Sequence, residues 1–382
     1  MIKRLLLILI TCIEVSSVTG QSDIWTIKFG EYEVGYKDTI IYDSTEIFQY
    51  HTINTYKPYF IHIWYPTKKK LNSCIIKYDD YWVFDADSNE NVLIKKIRDL
   101  YNNEAFGTSL TPSIISNQNL KVYKNAPELQ LNSELIIYHH GSQGVGIENN
   151  RLCEFLASHG YTVIAPTFTL PSDMVNKLIP STEFKTKFNL KNLTQEVMKE
   201  IELDMNNAEI NNLDFILEYA SKNFKKEIIG IGHSRGAQKL LLSDKDSINR
   251  LQKIITYHTT YEDHLTNEIC KIHPFDCIVI DTNIDDFDTP KFFFAQRHYL
   301  DSTLTSPNFD FYNRFTNSSY FELTCPIEHN AYVYDWLLYQ TGNNLINKNR
   351  IEEYNRILHT TLKVIKNIMV VSDEHIIVSK PY

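Results

Sequence analysis

Glycine and proline are scarce in this chain, with 12 of each among 382 residues, and there are 6 cysteines. That scarcity excludes collagen-like and low-complexity architectures. The chain shows no Pro/Gly-rich linker and no internal repeat. Positive charge is in deficit: 38 Lys and Arg stand against 47 Asp and Glu, a net charge of −9. This argues against a nucleic-acid binder that relies on bulk charge. Long apolar runs are missing too. Leu5–Ile10 is too short to cross a bilayer and Glu14 follows it, so no transmembrane segment is expected. What is present is 43% hydrophobic and 22% charged residues, enough to build a full core and incompatible with intrinsic disorder.

Residues 1–20 have the layout of a secretory signal peptide: Lys3 and Arg4, then an apolar run, then small and polar residues up to Gly20. Cleavage near Gly20–Gln21 and an extracytoplasmic (secreted or periplasmic) location are expected, with residues 21–382 as the mature chain. Five cysteines then remain, so at least one is unpaired within a monomer. Cys270 and Cys277 are near enough in sequence to form a disulfide in an oxidising compartment. Cys153, on a predicted helix, reads as a buried thiol. No matched short-range Cys/His pairs indicate a zinc site.

Residues 26–43 and 58–66 read as strands, the second rich in aromatic and β-branched residues and ending at Pro66. Residues 67–132 are mixed, and the polar stretch 102–133 reads as a long surface excursion. From Leu135 onward short apolar runs alternate with helical patterns. Strands are expected at Leu135–Tyr138, Thr162–Ala165, Ile228–Ile231, Ile254–Tyr257, Cys277–Ile280, Phe292–Ala295 and Tyr320–Leu323. Helices are expected at Asn149–Ser158, closed by Gly160, and within 195–222, 236–242 and 351–368. The alternation predicts an α/β fold, a mainly parallel central sheet with helices on both faces. N-terminal strands (21–132) precede a core (133–382) within a single domain. A helical insertion near 171–208 is expected, either a lid or a side wall.

Six of the 12 glycines fall in two short stretches, 141–146 and 230–236. In the second, Gly232-His233-Ser234-Arg235-Gly236 follows an apolar strand and opens a helix. A G-x-S-x-G nucleophile elbow needs this context: the serine stands on a strained turn, and small neighbours let strand and helix pack closely. The first stretch, His139-His140-Gly141-Ser142-Gln143-Gly144, lies between a strand and a helix. A loop there supplies one backbone N–H to an oxyanion hole, and the residue after the nucleophile supplies the other. The expected donors are the N–H groups of Ser142 and Arg235. A histidine base comes late in such chains. His329, between the last strand candidate and a probable helix, occupies that position, whereas His298 and His359 do not.

These residues resemble secreted α/β-hydrolases of the dienelactone hydrolase and platelet-activating-factor acetylhydrolase type. The resemblance is carried by Gly30–Gly35, Ile61–Pro66, His140-Gly-Ser142 through Val163, the elbow, and Glu328-His329-Asn330 to Asp335. It implies the α/β-hydrolase fold and a Ser-His-acid site. The acid departs from the pattern. Where the acetylhydrolase-like group has an aspartate after the strand following the elbow, this chain has His258, which cannot serve as the carboxylate. The commoner location one strand later offers Asp301, with Asp263 and Glu262 in reserve. The implied activity is hydrolysis of small-molecule or lipid-like carboxylic esters through an acyl-enzyme, with no metal or organic cofactor. A peptidase or amidase on the same elbow, and a non-catalytic binding protein on this scaffold, are the competing readings. Arg235 either favours an acidic acyl group or pairs with a nearby carboxylate.

Overall fold

The computed structural model describes residues 27–50, 53–68, 75–84, 119–141, 144–167, 211–242, 249–257, 289–296, 317–323, 332 and 348–379. Their strands are β1 (Glu33–Tyr50), β2 (Ile53–Thr67), β3 (Ile75–Lys77), β4 (Asn119–Lys124), β5 (Leu135–His139), β6 (Thr162–Thr167), β7 (Ile228–His233), β8 (Leu251–Tyr257), β9 (Lys291–Gln296), β10 (Ser318–Leu323) and β11 (Ile376–Ser379). The helices are α1 (Asn150–Ser158), α2 (211–224), α3 (Arg235–Leu242) and α4 (Lys348–Ile365).

The strands form one sheet in the order β11-β10-β9-β8-β7-β5-β6-β2-β1-β4-β3. From β6 to β10 every neighbouring pair is parallel. Strand β11 closes one edge antiparallel, and the long β1–β2 hairpin joins the parallel block through an antiparallel β2–β6 pair. The order reverses at the centre. Strand β5 hands the chain to β6 on one side, while β7 lies on its other side and continues to β8. A crevice at the carboxyl ends of two such strands is where open α/β sheets bind ligands.

The central strands are buried on both faces, as a parallel sheet covered by helices requires. Alternate residues go to opposite faces. Ile136, Tyr138, Ile229, Ile231, Phe292 and Phe294 join one core with Leu152, Phe155 and Leu156 of α1 and Ile357, Leu358 and Leu362 of α4. Leu135, Ile137, Ile228 and Phe293 join the other with Leu213, Ile216 and Leu217 of α2 and Leu240 of α3. Helix α1 ends at Gly160, whose φ of +101° favours glycine and whose N–H bonds to Ala157 O. Cys153 is a buried free thiol on α1, as its sequence context suggested. Among the described residues no helix is long and apolar enough to cross a membrane.

One sequence expectation fails here. The stretch 102–133 is not wholly a surface excursion, because residues 119–124 form β4, with Leu120 and Val122 buried against β1. Their short alternating pattern is hidden among polar neighbours and becomes a strand only through partners far away in the chain. The edge strands β3 and β11 were not anticipated either. The first two strands reach well past their expected ends, into a hairpin paired to its tip and bulged between Asp43 and Ile47. The Cys277–Ile280 strand, the insertion near 171–208, the first 20 residues and Cys270 and Cys277 lie outside the described residues.

Candidate active site

Ser234 stands between the last residue of β7 and the first of α3, with φ +50°. An L-residue reaches this left-handed region only at a steric cost. The turn is held at both ends. The Ser234 N–H donates to Tyr257 O on β8 at 2.9 Å, and Ser234 O accepts from Gln238 N–H at 3.2 Å. Both motif glycines are forced by close approach. A Cβ on Gly232 would lie 2.5 Å from Ala237 N, and one on Gly236 would lie 2.3 Å from His140 O and 2.4 Å from His139 O. The start of α3 thus rests directly on the end of β5 and the loop after it. Arg235 is buried, and its backbone N–H is in the first turn of α3, where the helix favours developing negative charge.

The β5–α1 loop meets the elbow at Gly141. A Cβ there would lie 2.8 Å from His233 Nδ1 and 3.4 Å from Ser234 Cβ. His140 Nδ1 lies 2.8 Å from Gly141 O, and His139 Nδ1 lies 3.0 Å from His140 O. A carbonyl only accepts, so both imidazoles carry a proton on Nδ1. Gly141 O also receives the Gly144 N–H at 3.1 Å, which closes the turn.

Beneath this turn sits Glu148, 5% exposed and not anticipated from the sequence. Its Oε1 accepts from Tyr138 OH at 2.7 Å and from Gly141 N–H at 2.9 Å, and faces His233 Nδ1 at 3.5 Å. Burial alone would push its carboxyl up. Hydrogen bonding and charge from His233, the charge of His140 and the Gly141 N–H outweigh burial and hold it below the usual carboxylate range. An acidic residue just before a helix reads in sequence as an ordinary partner of the helix N-terminus. Only its distance from the glycine turn hints at more.

The neighbouring Asn149 is fully buried. Its Nδ2 donates to Tyr332 O at 3.1 Å, and its Oδ1 accepts from Tyr354 OH at 2.5 Å. The Tyr332 ring stacks with Tyr257 at 6.1 Å, and Tyr257 OH pairs with Thr361 Oγ1 at 2.7 Å. Tyr332 is therefore tied to Asn149 before α1 and to Tyr257 of β8, both of which bond to α4.

Of the residues singled out in the sequence, Ser234, Arg235 and the His139–Gly141 loop come together. Ser142, His258, Glu262, Asp263, Asp301 and His329 lie outside the described residues. Among the described residues no group of three or more His, Cys, Asp or Glu is arranged to hold a metal ion.

The reversal of strand order, the strained serine at the turn after β7 and the glycine loop beside it belong to an α/β-hydrolase fold. No protein-family model and no curated protein matches the chain. Solved structures do. A ferulic acid esterase from Streptomyces cinnamoneus superposes with a TM-score of 0.56 over 89% of this chain and 91% of its own, at 13% identity. A Bacillus cereus carboxylesterase (TM-score 0.36, 12% identity) matches over 60% of this chain and 90% of its own. A dienelactone hydrolase from Anabaena variabilis (0.33, 11%) matches over 52% and 77%.

Proposed function

We infer that the protein is a secreted serine hydrolase of carboxylic esters. One observation carries this reading: Ser234 is held at φ +50° at the carboxyl end of β7, beside the β5 loop, in the crevice where the strand order reverses. Strain of this kind persists only where the surrounding structure over-determines it, and it raises a side chain out of the turn toward a ligand.

In the proposed reaction Ser234 Oγ attacks the acyl carbon while His329 takes its proton. The tetrahedral intermediate collapses as His329 gives that proton to the departing alkoxide. Water, deprotonated by the same imidazole, then attacks the acyl-enzyme and releases the acid and Ser234. Support for His329 comes from Tyr332, three residues on, whose buried backbone is bonded to Asn149 of the β5–α1 connection. Asp301 is the proposed orienting carboxylate, with Asp263 and Glu262 as alternatives.

The oxyanion would be held by the N–H groups of Ser142 and Arg235. Support for the loop as one donor comes from Gly141, whose carbonyl accepts from His140 and Gly144 and whose backbone packs beside Ser234. The layout of residues 1–20 supports export, and small-molecule or lipid-like esters are the proposed substrates.

The test is hydrolysis of short and medium p-nitrophenyl esters, with feruloyl esters in the panel, beside fluorophosphonate labelling. Turnover and label at Ser234, both abolished by Ser234→Ala, are expected. A folded protein that neither turns over any ester nor takes the label would remove the reading.

A further inference from the structure

The carboxylate under the glycine turn has a geometry that ordinary core packing does not require. Its two oxygens address both ends of the turn. Oε1 accepts the Gly141 N–H at 2.9 Å, while a Cβ on Gly144 would lie 2.0 Å from Oε2. The turn is closed by Gly144 N–H on Gly141 O, so its two end residues are seated on one carboxylate. The same Oε1 faces His233, whose ring underlies Gly141 and immediately precedes the nucleophile. A buried carboxylate is costly unless its lone pairs are used, and here Oε1 takes the Tyr138 hydroxyl and the Gly141 N–H while facing His233 of the elbow at 3.5 Å.

We propose that Glu148 is a positioning residue for ester hydrolysis: its charge holds the Gly141–Gly144 turn in register with the Ser234 elbow, so that the oxyanion donors are pre-set before substrate arrives. This rests on the hydrolase reading above and deepens it. Glu148 touches neither substrate nor reacting atoms. It acts through Gly141, whose Cα lies against Ser234, and through His233. Among the described residues the groups that face it are Tyr138 from β5, His140 and Gly141 from the loop, His233 from β7 and the Cys153 thiol from α1.

Glu148→Gln keeps the shape and removes the charge. Preorganised donors count in the transition state more than in the bound substrate, so kcat should fall roughly tenfold to a hundredfold with KM little changed. The rate of fluorophosphonate labelling should fall in parallel, because that adduct uses the same donors. The pH at which activity rises should stay where the base puts it. The readout independent of turnover is the amide spectrum of 15N-glycine-labelled protein, in which at most 12 glycines give a tractable set of resonances. Gly141 and Gly144 should shift in Glu148→Gln, while Gly30, at the carboxyl end of α1, and Gly35, against Tyr65 of β2, should not.

Should Glu148→Gln fail to fold, Gly144→Ala tests the same seat from the other side. It forces the carboxylate away from the turn and should reproduce the loss of kcat at unchanged KM. An active wild type whose Glu148→Gln variant keeps its kcat, with the Gly141 resonance unmoved, would overturn the proposal and leave the hydrolase reading standing. A wild type that neither turns over nor labels would overturn both. A lowered melting temperature with unchanged kcat would reduce Glu148 to a packing role.

Discussion

Gly236→Ala is the sharpest steric test of the site. The added methyl would sit 2.3 Å from His140 O and 2.4 Å from His139 O, whereas ordinary contact begins near 3.4 Å. Both obstacles are backbone atoms at the end of a buried strand and cannot rotate away. The first turn of α3 must therefore retreat from the β5 loop by about 1 Å, at a stability cost of about 1–3 kcal/mol. That retreat separates the Arg235 N–H from the loop, and a displacement of this size in a preorganised site costs roughly a hundredfold in rate. Gly30→Ala is the matched control. Its methyl would lie 2.2 Å from Ser158 O, an equal insult at the far end of α1. The assay is kcat/KM on p-nitrophenyl acetate, beside thermal unfolding of each variant. Both variants should be destabilised, and only Gly236→Ala should lose activity per folded molecule. Gly236→Ala within about threefold of wild type in kcat/KM, or an equal loss in both variants, refutes the reasoning.

Three further outcomes are expected. Ser234→Gly removes a left-handed-conformation cost of about 1–2 kcal/mol but gains unfolded-chain freedom, so it should be more stable than Ser234→Ala by ~0.5–1 kcal/mol in urea unfolding while equally inactive; a midpoint no higher than that of Ser234→Ala would mean the turn is unstrained. His62, buried beside Tyr36 and Trp64, is held down to about 3 by burial and by the charge of Lys124, against 6.5 unfolded. Below pH 6.5 only the unfolded chain binds that proton, so stability should decline as pH falls from 6.5 toward 3, by at most about 1.4 kcal/mol per pH unit; His62→Gln should flatten this slope, and an identical slope in both proteins would contradict the assignment. The Cys153 thiol is pushed up by burial and by Glu154 and Glu148, so iodoacetamide should modify it only after unfolding, and peptide mapping that finds it alkylated in native protein would show the core is open there.

The parts of the site that could be read from the chain were those whose chemistry is local. Gly232, Ser234 and Gly236 had to be neighbours in sequence, because a strand-to-helix turn with a left-handed serine is built within five residues. His139–Gly141 was legible for the same reason, lying directly between a strand and a helix. Glu148 was not. Seven residues beyond Gly141, it is indistinguishable in sequence from a carboxylate favouring a helix N-terminus, and its role exists only because the turn folds back over it. Asn149 was hidden likewise, since its partners Tyr332 and Tyr354 lie 183 and 205 residues away.

The fold divides along the same line. Apolar periodicity by itself determined that β5, β6, β7, β8, β9 and β10 are strands, that helices separate the early ones, and that the sheet is mainly parallel, because a strand buried on both faces must be apolar throughout. Only the tertiary structure decided that 119–124 pairs with β1, that the first hairpin is long, and that Ile376–Ser379 closes the far edge. Those segments are short or half polar, and their stability comes from ladder partners that no local pattern names. The order of strands, and with it the crevice that brings Ser234 against Gly141, is likewise a property of pairing across the chain and not of any segment within it.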